Sequence, residues 1–318
     1  VTSGPAATAD PSVVAVVVTW NSAGVVSELL ASLPAAMGAT TWRLVVVDNE
    51  SSDDTVDVVR HAAPGATVIE LGRNAGYAAG INAGWAAAPD AAAMLVLNPD
   101  IRLGPGAVEA LVGGLKVSHV GITVPRITNS DGTLSFSLRR RPTVARALGE
   151  AVVGGLRAGR HPAWGEMIVD PGVYESAGAV DWASGAVMLL SRPCMERVGP
   201  WDESLWLYSE ETDFALRARK AGFALWFVPD AGAVHLGGGA HVDPHLWATL
   251  TVNRVRVFRR DHGPTRTLAF WGALLLNELL RAVAGRPTSR VAVGALLSMG
   301  RHSPRATAAT RGPTTQRR

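Results

Sequence analysis

Cysteine is nearly absent from this chain: Cys194 stands alone among 318 residues. It has no partner for an internal disulfide, which points to a reducing compartment. No stretch reaches the ~18 uninterrupted apolar residues of a membrane-spanning helix. Val1 to Pro11 is small and polar. It lacks the basic start and apolar centre of a secretory signal, and disorder is expected over 1–11. No internal repeat is visible, and no G-x-G-x-x-G turn marks a dinucleotide fold. Lysine is scarce beside arginine. Net charge is only +3 but unevenly spread: from Arg254 to Arg318 there are 13 Arg against Asp261 and Glu278. A basic tail on an acidic body is expected to meet something anionic. Nucleic acid and a membrane surface both have that chemistry. The membrane is the expected partner and nucleic acid is not, with 301–318 a disordered basic tail.

What is present is a large apolar fraction, 47% of residues against 18% charged, enough for a substantial core. The stretch Leu95-Val96-Leu97-Asn98-Pro99-Asp100 organises the rest. Met94 to Leu97 reads as a strand buried on both faces, as in a parallel sheet. Pro99 cannot donate to a ladder and ends the strand. Asp100 is thereby held at a strand's carboxyl end, the edge where open α/β sheets bind ligands. Upstream, Val13–Val18, Leu44–Val47 and Thr67–Leu71 read as further strands. Helices are expected from a cap at Asn21 or Ser22 to Leu33, from a cap at Ser51 or Ser52 to about His61, and from Asn74 to Ala88. This alternation implies right-handed βαβ units and a parallel sheet. Downstream, Ile122–Ile127 and Ala224–Val228 read as strands, the latter ended by Pro229, and Val180–Leu190 contains another, with Ser184-Gly185 inside it. Ala145–Glu166 has no clear period and is expected to be a loop with a short helix. Further helices are expected from Phe214 to Ala221 and, basic and amphipathic, from Trp247 to Arg260. The apolar run Leu268–Leu280 is broken by Asn277 and Glu278.

Asp48 follows the second strand, on the same edge as Asp100. A carboxylate there can accept a hydrogen bond from a base nitrogen or a ribose hydroxyl; equally, it can cap the next helix. Gly72-Arg73-Asn74-Ala75-Gly76 lies between a strand and a helix, where Gly76 lets backbone approach a ligand closely. Glu210-Glu211-Thr212-Asp213 puts three carboxylates in four residues, just before an apolar helical face. A helix N-terminus favours negative charge, which accounts for one carboxylate and not for three. A crowded carboxylate has a raised pKa, suited to a general base. His235 follows a strand and precedes three glycines. A lone His is more often structural, but a His after a strand, in a chain already offering Asp100, is a fair second metal ligand. Hard oxygen ligands favour Mg²⁺ or Mn²⁺, and one imidazole tilts the choice toward Mn²⁺. Trp182 beside Ser184-Gly185 offers a flat ring that suits a sugar, although a core tryptophan is the commoner explanation.

Taken together, several segments resemble the family 2 glycosyltransferases, in order from about Val13 to Gly239. They are Val18-Thr19-Trp20-Asn21, Val47-Asp48-Asn49-Glu50-Ser51-Ser52-Asp53, Arg73-Asn74-Ala75-Gly76-Tyr77, Asn98-Pro99-Asp100, Ser184-Gly185-Ala186, Phe214 behind the acidic cluster, and His235. Within that family the chain most resembles the bacterial rhamnosyltransferases. In pattern it is nearest to those of actinobacteria that add rhamnose to polyprenyl-diphosphate-linked N-acetylglucosamine; Asp131-Gly132 through Ser137-Leu138-Arg139 and Pro142 belong to that likeness. The resemblance implies a GT-A fold, a Rossmann-like α/β mixed sheet for nucleotide-diphospho-sugars, here with C-terminal amphipathic helices. It implies inverting, metal-dependent transfer from dTDP-rhamnose, or from a UDP-sugar such as UDP-galactofuranose. The acceptor is a hydroxyl of a glycan or lipid-linked molecule in cell-wall or surface polysaccharide synthesis. Asp48 matches the family's base-binding aspartate, with Thr19, Asn21, Asn49, Arg73, Asn74, Gly76 and Asn98 expected around the nucleotide sugar. Asp100 matches the last position of the DxD metal motif, Asn98 replaces its first Asp, and His235 matches a histidine that completes the metal site. Glu211 falls where the family usually has the Asp of a Glu-Asp pair, the general base, with Glu210 and Asp213 as its neighbours. Trp182, Ser184, Gly185 and Arg139 are expected on the acceptor side.

The expected organisation is a GT-A domain over 12–245 and a basic, membrane-proximal helical region over 246–300. That region combines apolar faces with many Arg, as segments lying on anionic membranes do. It points to a cytoplasmic protein held at the inner face of the cell membrane; packing on the catalytic domain is the plainer alternative. Two rival functions stand beside glycosyl transfer. A sugar-1-phosphate nucleotidyltransferase needs a glycine-rich basic loop after the first strand, where this chain has Thr19-Trp20-Asn21-Ser22. A non-catalytic binding module leaves the three clustered carboxylates unexplained.

Overall fold

The computed structural model describes residues 12–237 and 243–299. The expected disorder at 1–11 and 301–318 lies outside those residues, as do Gly238 and Gly239. In the first half, β1 (Val13–Thr19), β2 (Trp42–Asp48), β3 (Thr67–Glu70) and β4 (Ala93–Leu97) alternate with α1 (Val26–Met37), α2 (Thr55–Ala62) and α3 (Tyr77–Ala86). The second half adds β5 (Ile101–Leu103), α4 (Ala107–Gly114), β6 (Val120–Asn129), β7 (Leu138–Arg139), α5 (Val144–Val153) and α6 (Gly155–Gly159). Then come β8 (Gly178–Val180), β9 (Trp182–Ala183), β10 (Val187–Ser191), α7 (Arg192–Val198), α8 (Glu210–Lys220) and β11 (Ala224–His235). Three helices close the described chain: α9 (Pro244–Asp261), α10 (Pro264–Val283) and α11 (Pro287–Ser298).

The main sheet runs β3-β2-β1-β4-β10-β6-β11-β5, with β8 paired to β11. The first four strands are mutually parallel. β10 is antiparallel to both β4 and β6, so the sheet is mixed. β-branched residues make up nearly all of β1, and their stiff χ1 favours the pleated backbone. Its residues alternate between two apolar layers. Val13, Ala15 and Val17 face Leu29 and Leu33 of α1, whereas Val14, Val16 and Val18 face Ala78 and Ile81 of α3. α3 lies unusually close, because a Cβ on Gly80 or Gly84 would stand 2.6 or 2.3 Å from Val18 or Val16. A third cluster joins Ala147 of α5, Val255 and Phe258 of α9, Phe270 and Leu274 of α10 and Leu296 of α11. The C-terminal helices therefore do pack on the rest of the chain.

Local expectations shift in several places. α1 begins at Val26, capped by no side chain, and runs through Pro34. Burial of Leu33, Ala36 and Met37 outweighs the one backbone bond that proline forfeits. α2 starts after Asp54 rather than at Ser51 or Ser52, with Asp53 accepting from the Thr55 N–H at 3.1 Å. Ala145–Glu166 holds more helix than expected, with only 160–166 irregular: Thr143 caps α5, and Gly154 at φ 83° turns the chain into α6. The segment Val180–Leu190, expected to contain one strand, is divided among β8, β9 and β10, so Ser184 and Gly185 stand in a break between strands. β11 passes through Pro229 because a register shift against β6 falls there, and a bulge tolerates a missing N–H. α10 is continuous through Asn277 and Glu278, the Glu278 carboxylate accepting from Trp247 Nε1 at 2.9 Å. Finally, α8 begins at Glu210, not Phe214, so the acidic trio is its first turn.

Candidate active site

The carboxyl ends of β1, β2 and β4 open on one edge. Thr19 pairs with Asp48 across β1 and β2, and Leu97 ends β4 opposite Val17. Asp48 and Asp100 therefore leave the same edge of the sheet. Asp48 is 2% exposed and already engaged. Its Oδ1 accepts from the hydroxyls of Thr19 (2.8 Å) and Ser51 (2.6 Å), and its Oδ2 from the Ser51 N–H (2.8 Å). It thus ties together the loops after β1 and β2 and keeps limited capacity on Oδ2 for a ligand. Asn21, at φ 49°, accepts from the Ser52 N–H at 2.7 Å and joins the same knot. Asn49 bridges to the next loop, donating to the Gly76 carbonyl at 3.2 Å and accepting from the Ala75 N–H at 3.2 Å. Asn74 accepts from the Gly76 N–H at 3.2 Å. Arg73 stands exposed at the rim. Gly76 is required: at φ 94° a Cβ would meet the Trp206 carbonyl at 2.3 Å.

Asp100 follows the Asn98-Pro99 turn and is held by both neighbours. The Asn98 N–H donates to the Ala186 carbonyl at 2.9 Å, and Asp100 accepts at its own carbonyl from Leu236 N–H at 2.8 Å. The ladder of β5 with β11 pairs His235 with Ile101. His235 Nε2 thereby comes to 3.1 Å from Asp100 Oδ2. Asp100 Oδ1 is buried and has no hydrogen-bond partner among the described residues. A Cβ on Gly237 would fall 2.0 Å from Oδ2, so the carboxylate lies in a cradle that only glycine leaves open. An orphan carboxylate oxygen beside an imidazole suits a divalent cation. Among the described residues no group of three His, Cys, Asp or Glu gathers for a metal. Such an ion would take its other ligands from water and diphosphate, as Mg²⁺ sites on nucleotides do.

Glu211 stands on the other side of the Ser184-Gly185 break. Its Cβ lies 3.2 Å from where a Gly185 Cβ would be. Burial lifts its pKa to about 7, against the opposing pull of nearby backbone N–H groups and of Arg139. Glu210 is buried, its Oε2 without a partner among the described residues, and burial together with the Glu211 charge raises its proton affinity well above the ordinary range. Desolvation, rather than crowding of three charges, is the larger cause in both. Asp213 faces elsewhere: Arg217 Nε donates to it at 2.8 Å, and Arg260 pairs with its other oxygen. The expectation that Asp213 shares catalysis gives way here, because an α-helix turns it roughly 200° from Glu211 into those ion pairs.

The small ladder β7–β9 builds the facing wall. It pairs Arg139 with Trp182, whose ring lies 5.8 Å from the guanidinium carbon. Trp182 Nε1 donates to the Arg140 carbonyl at 3.0 Å, and Ser184 N–H to the Ser137 carbonyl at 3.0 Å. A small cleft beside Glu211 is lined by Trp182, Pro142, Glu166, Arg254 and Thr212.

Two contributors escape the motif reading. Tyr77 donates its hydroxyl to the Gly185 carbonyl at 3.3 Å. Burial first, then the charges of Glu210, Glu211 and Asp100, push its pKa up, so one ring stands within electrostatic reach of both halves of the site. Its place next to Gly76 in the quoted motif is the only signal the sequence holds. Asn253 on α9 carries no signal at all. It is 1% exposed and donates to the carbonyls of Leu205 (2.7 Å), Leu207 (3.0 Å) and Tyr208 (3.1 Å). Those residues form a strap into α8 in which Trp206, Tyr208 and Ser209 all have positive φ. Each such residue costs on the order of 1–3 kcal/mol and persists only where its surroundings impose it. The strap also accepts the Tyr77 N–H at the Trp206 carbonyl, 2.7 Å away. It thus couples the loop at Gly76 to the helix that carries Glu211.

Residues 14–165 match the model of glycosyl transferase family 2. The N-acetylglucosaminyl-diphospho-decaprenol L-rhamnosyltransferase of Mycobacterium tuberculosis is 29% identical over 231 residues, 69% of this chain and 74% of that protein. The mannosyltransferase PcManGT of Pyrobaculum calidifontis, solved with GDP-Man and Mn²⁺, shares 18% identity and a TM-score of 0.56 over 93% of this chain and 82% of that one. GalNAc-T7, solved with UDP, GalNAc and Mn²⁺, gives 15% identity and a TM-score of 0.56 over 79% of this chain; this chain spans 48% of that one. The two solved structures bear on the fold, and the family match bears on the class of enzyme. With the mixed sheet and its carboxyl-edge loops, they agree that residues 14–165 of this enzyme are a family 2 glycosyltransferase domain and that the fold is GT-A.

Proposed function

We propose that the enzyme is an inverting, metal-dependent rhamnosyltransferase that transfers L-rhamnose from dTDP-rhamnose to a hydroxyl of a lipid-linked glycan. The observation that carries the reading is the break at Ser184-Gly185: Glu211 lies against Gly185, Tyr77 donates to the Gly185 carbonyl at 3.3 Å, and the adjoining Ala186 carbonyl accepts from Asn98 N–H of the Asp100 turn at 2.9 Å. A carboxylate suited to a metal on one side of that break and a carboxylate of pKa about 7 on the other fit displacement at a sugar carbon between them. The diphosphate end of the donor lies toward Asp100 and His235, and the nucleoside toward Asp48, Asn49 and the Gly76 loop. A divalent cation, Mn²⁺ or Mg²⁺, held by Asp100 and His235 would neutralise charge on the leaving diphosphate. Glu211 takes the proton from the acceptor hydroxyl. That oxygen bonds to the anomeric carbon as the bond to the diphosphate oxygen breaks on the opposite face, so configuration inverts. Arg139, Trp182, Ser184 and Gly185 line the acceptor side.

The choice of rhamnose and of a polyprenyl-diphosphate-linked acceptor rests on the mycobacterial relative's name. We further propose that α10 and its neighbours hold the protein at the inner face of the cytoplasmic membrane; no helix among the described residues is long and apolar enough to cross a membrane. Thermal shift with dTDP- and UDP-sugars in Mn²⁺, followed by transfer to N-acetylglucosaminyl-diphospho-lipid, tests donor and acceptor. Stabilisation by UDP-galactofuranose and not dTDP-rhamnose would move the donor. Turnover of a nucleoside triphosphate with a sugar-1-phosphate would replace the reaction class.

A further inference from the structure

The pair α5–α6, whose sequence shows no clear period, presents an apolar face that nothing among the described residues covers. Leu148, Val152, Leu156 and Trp164 are all exposed there, Val152 at 71% and Trp164 at 54%. Leu148 and Val152 lie one helical turn apart, and Trp164 packs on the same helix at Gly149, where a Cβ would meet Trp164 Cβ at 2.9 Å. The opposite face of α5 is buried through Ala147 against Phe270 and Leu274 of α10. α10 has a bare face of its own, with Leu276, Leu279, Leu280 and Val283 exposed, the last at 89%. Single exposed apolar residues are ordinary, but two packed helices each carrying a set of them are not.

Charge decides what covers this surface. Arg157 and Arg160 are exposed on or beside α6, and Arg286 and Arg290 beside or on α11. The only carboxylates within 144–165 and 262–299 are Glu150 and Glu278. Glu150 accepts from Arg254 at 3.3 Å, and Glu278 is 2% exposed. The surface is therefore apolar, carries a tryptophan, is fringed by Arg and presents no free acid. That is the composition of a face that sits in the headgroup layer of an anionic bilayer.

Its position relative to the cleft adds direction. Pro142, just before α5, and Glu166, just after Trp164, both line the cleft at Glu211. Arg254 at the cleft bonds Glu150 of α5 at 3.3 Å and Glu166 at 2.8 Å. We infer that α5–α6 and the outer face of α10 together form the surface that docks on an anionic membrane, with the Glu211 cleft opening beside it. An acceptor anchored in the bilayer then meets the base without leaving the membrane. The inference deepens the glycosyl-transfer reading and rests on it only for the acceptor.

The test uses the full chain and flotation with vesicles of phosphatidylcholine, with and without phosphatidylglycerol. Wild type is expected to float with the anionic vesicles and not with pure phosphatidylcholine. The triple variant Leu148→Glu/Val152→Glu/Leu156→Glu is expected to bind at least about tenfold more weakly, since three exposed apolar contacts become three repelled charges. Its melting temperature and its donor hydrolysis in detergent should match wild type. Leu148→Gln/Val152→Gln/Leu156→Gln serves as a milder second variant should the first lose solubility. Equal flotation of wild type and both variants overturns the proposal. So does a wild-type dimer in light scattering that the variants convert to monomer without any vesicle binding, which assigns the face to a second copy of the chain. Flotation that depends on these residues, found together with no sugar transfer, supports the surface while removing the glycosyl-transfer reading.

Discussion

Glu211 and Asp213 have the same chemistry two positions apart, and their surroundings divide them. Glu211 is desolvated and keeps its carboxylate toward Gly185, whereas Asp213 is neutralised by Arg217 and Arg260. Glu211→Gln is expected to lower the transfer rate by ~10²–10⁴ while donor affinity holds. The wild-type rate should rise with pH through about 7, where the base loses its proton. Stability moves the other way. The folded Glu211 holds its proton up to about 7, and an unfolded glutamate only to about 4.3, so folding stability falls as pH rises through that window. Glu211→Gln should therefore melt higher than wild type at pH 8 and equally at pH 4. Asp213→Asn removes one carboxylate from Arg217 and one of the two that hold Arg260, and should lower the melting temperature while the folded fraction keeps a near-normal pH profile. A dead but fully stable Asp213→Asn would transfer the base role to Asp213. At the other end of the cleft, Asp100→Asn removes the charge of the cradle at Gly237; titration of the donor nucleotide should lose its Mn²⁺ dependence.

At the scale of elements, α3 and α9 are placed for opposite reasons. α3 comes close to β1 because Gly80 and Gly84 offer no side chain, and a Cβ at Gly84 would overlap Val16 at 2.3 Å. Alanine improves an exposed helix by about 1 kcal/mol over glycine, but overpacking costs about 1–3 kcal/mol. The second effect wins, so Gly84→Ala should be less stable in urea. α9 is set by polar contacts: Asn253 holds three carbonyls of the strap that delivers Glu211. Asn253→Asp keeps the size and removes the donors. It should cut kcat by up to about 10²-fold with little change in donor KM, as a small misplacement of the base does. A proportional rise in KM at unchanged kcat would show instead that Asn253 serves the donor loop. Some of this was legible. The four parallel strands and their edge follow from apolar runs broken by Asn, Pro and Asp. α5 and α6 were not, because a glycine at φ 83° splits their period.

For the whole molecule, the C-terminal helices act as part of the catalytic body. α9 supplies Asn253 to the strap and Arg254 to the cleft, and α9, α10 and α11 share a core with Ala147 of α5. Removing everything after 245 is therefore expected to abolish donor hydrolysis even in detergent, where no membrane is needed. Removing only 301–318 should leave it intact. Full hydrolysis by the shorter chain would reduce these helices to an appendage.

The sequence by itself determined the order of strands and helices in the first half, the edge on which Asp48 and Asp100 emerge, and the acidic cluster at 210–213. Each of these depends on residues near in sequence, where period and turn chemistry act. Tertiary structure decided which carboxylate faces the cleft, because the rotation of α8 is set by packing, Trp201 stacking on Phe214 at 4.6 Å, and by ion pairs from α9. It also decided that His235 meets Asp100, that the Tyr77 hydroxyl bonds Gly185 beside Glu211, and that Asn253 holds the strap. Those contacts join residues far apart in the chain, and no local pattern encodes a distance of that kind.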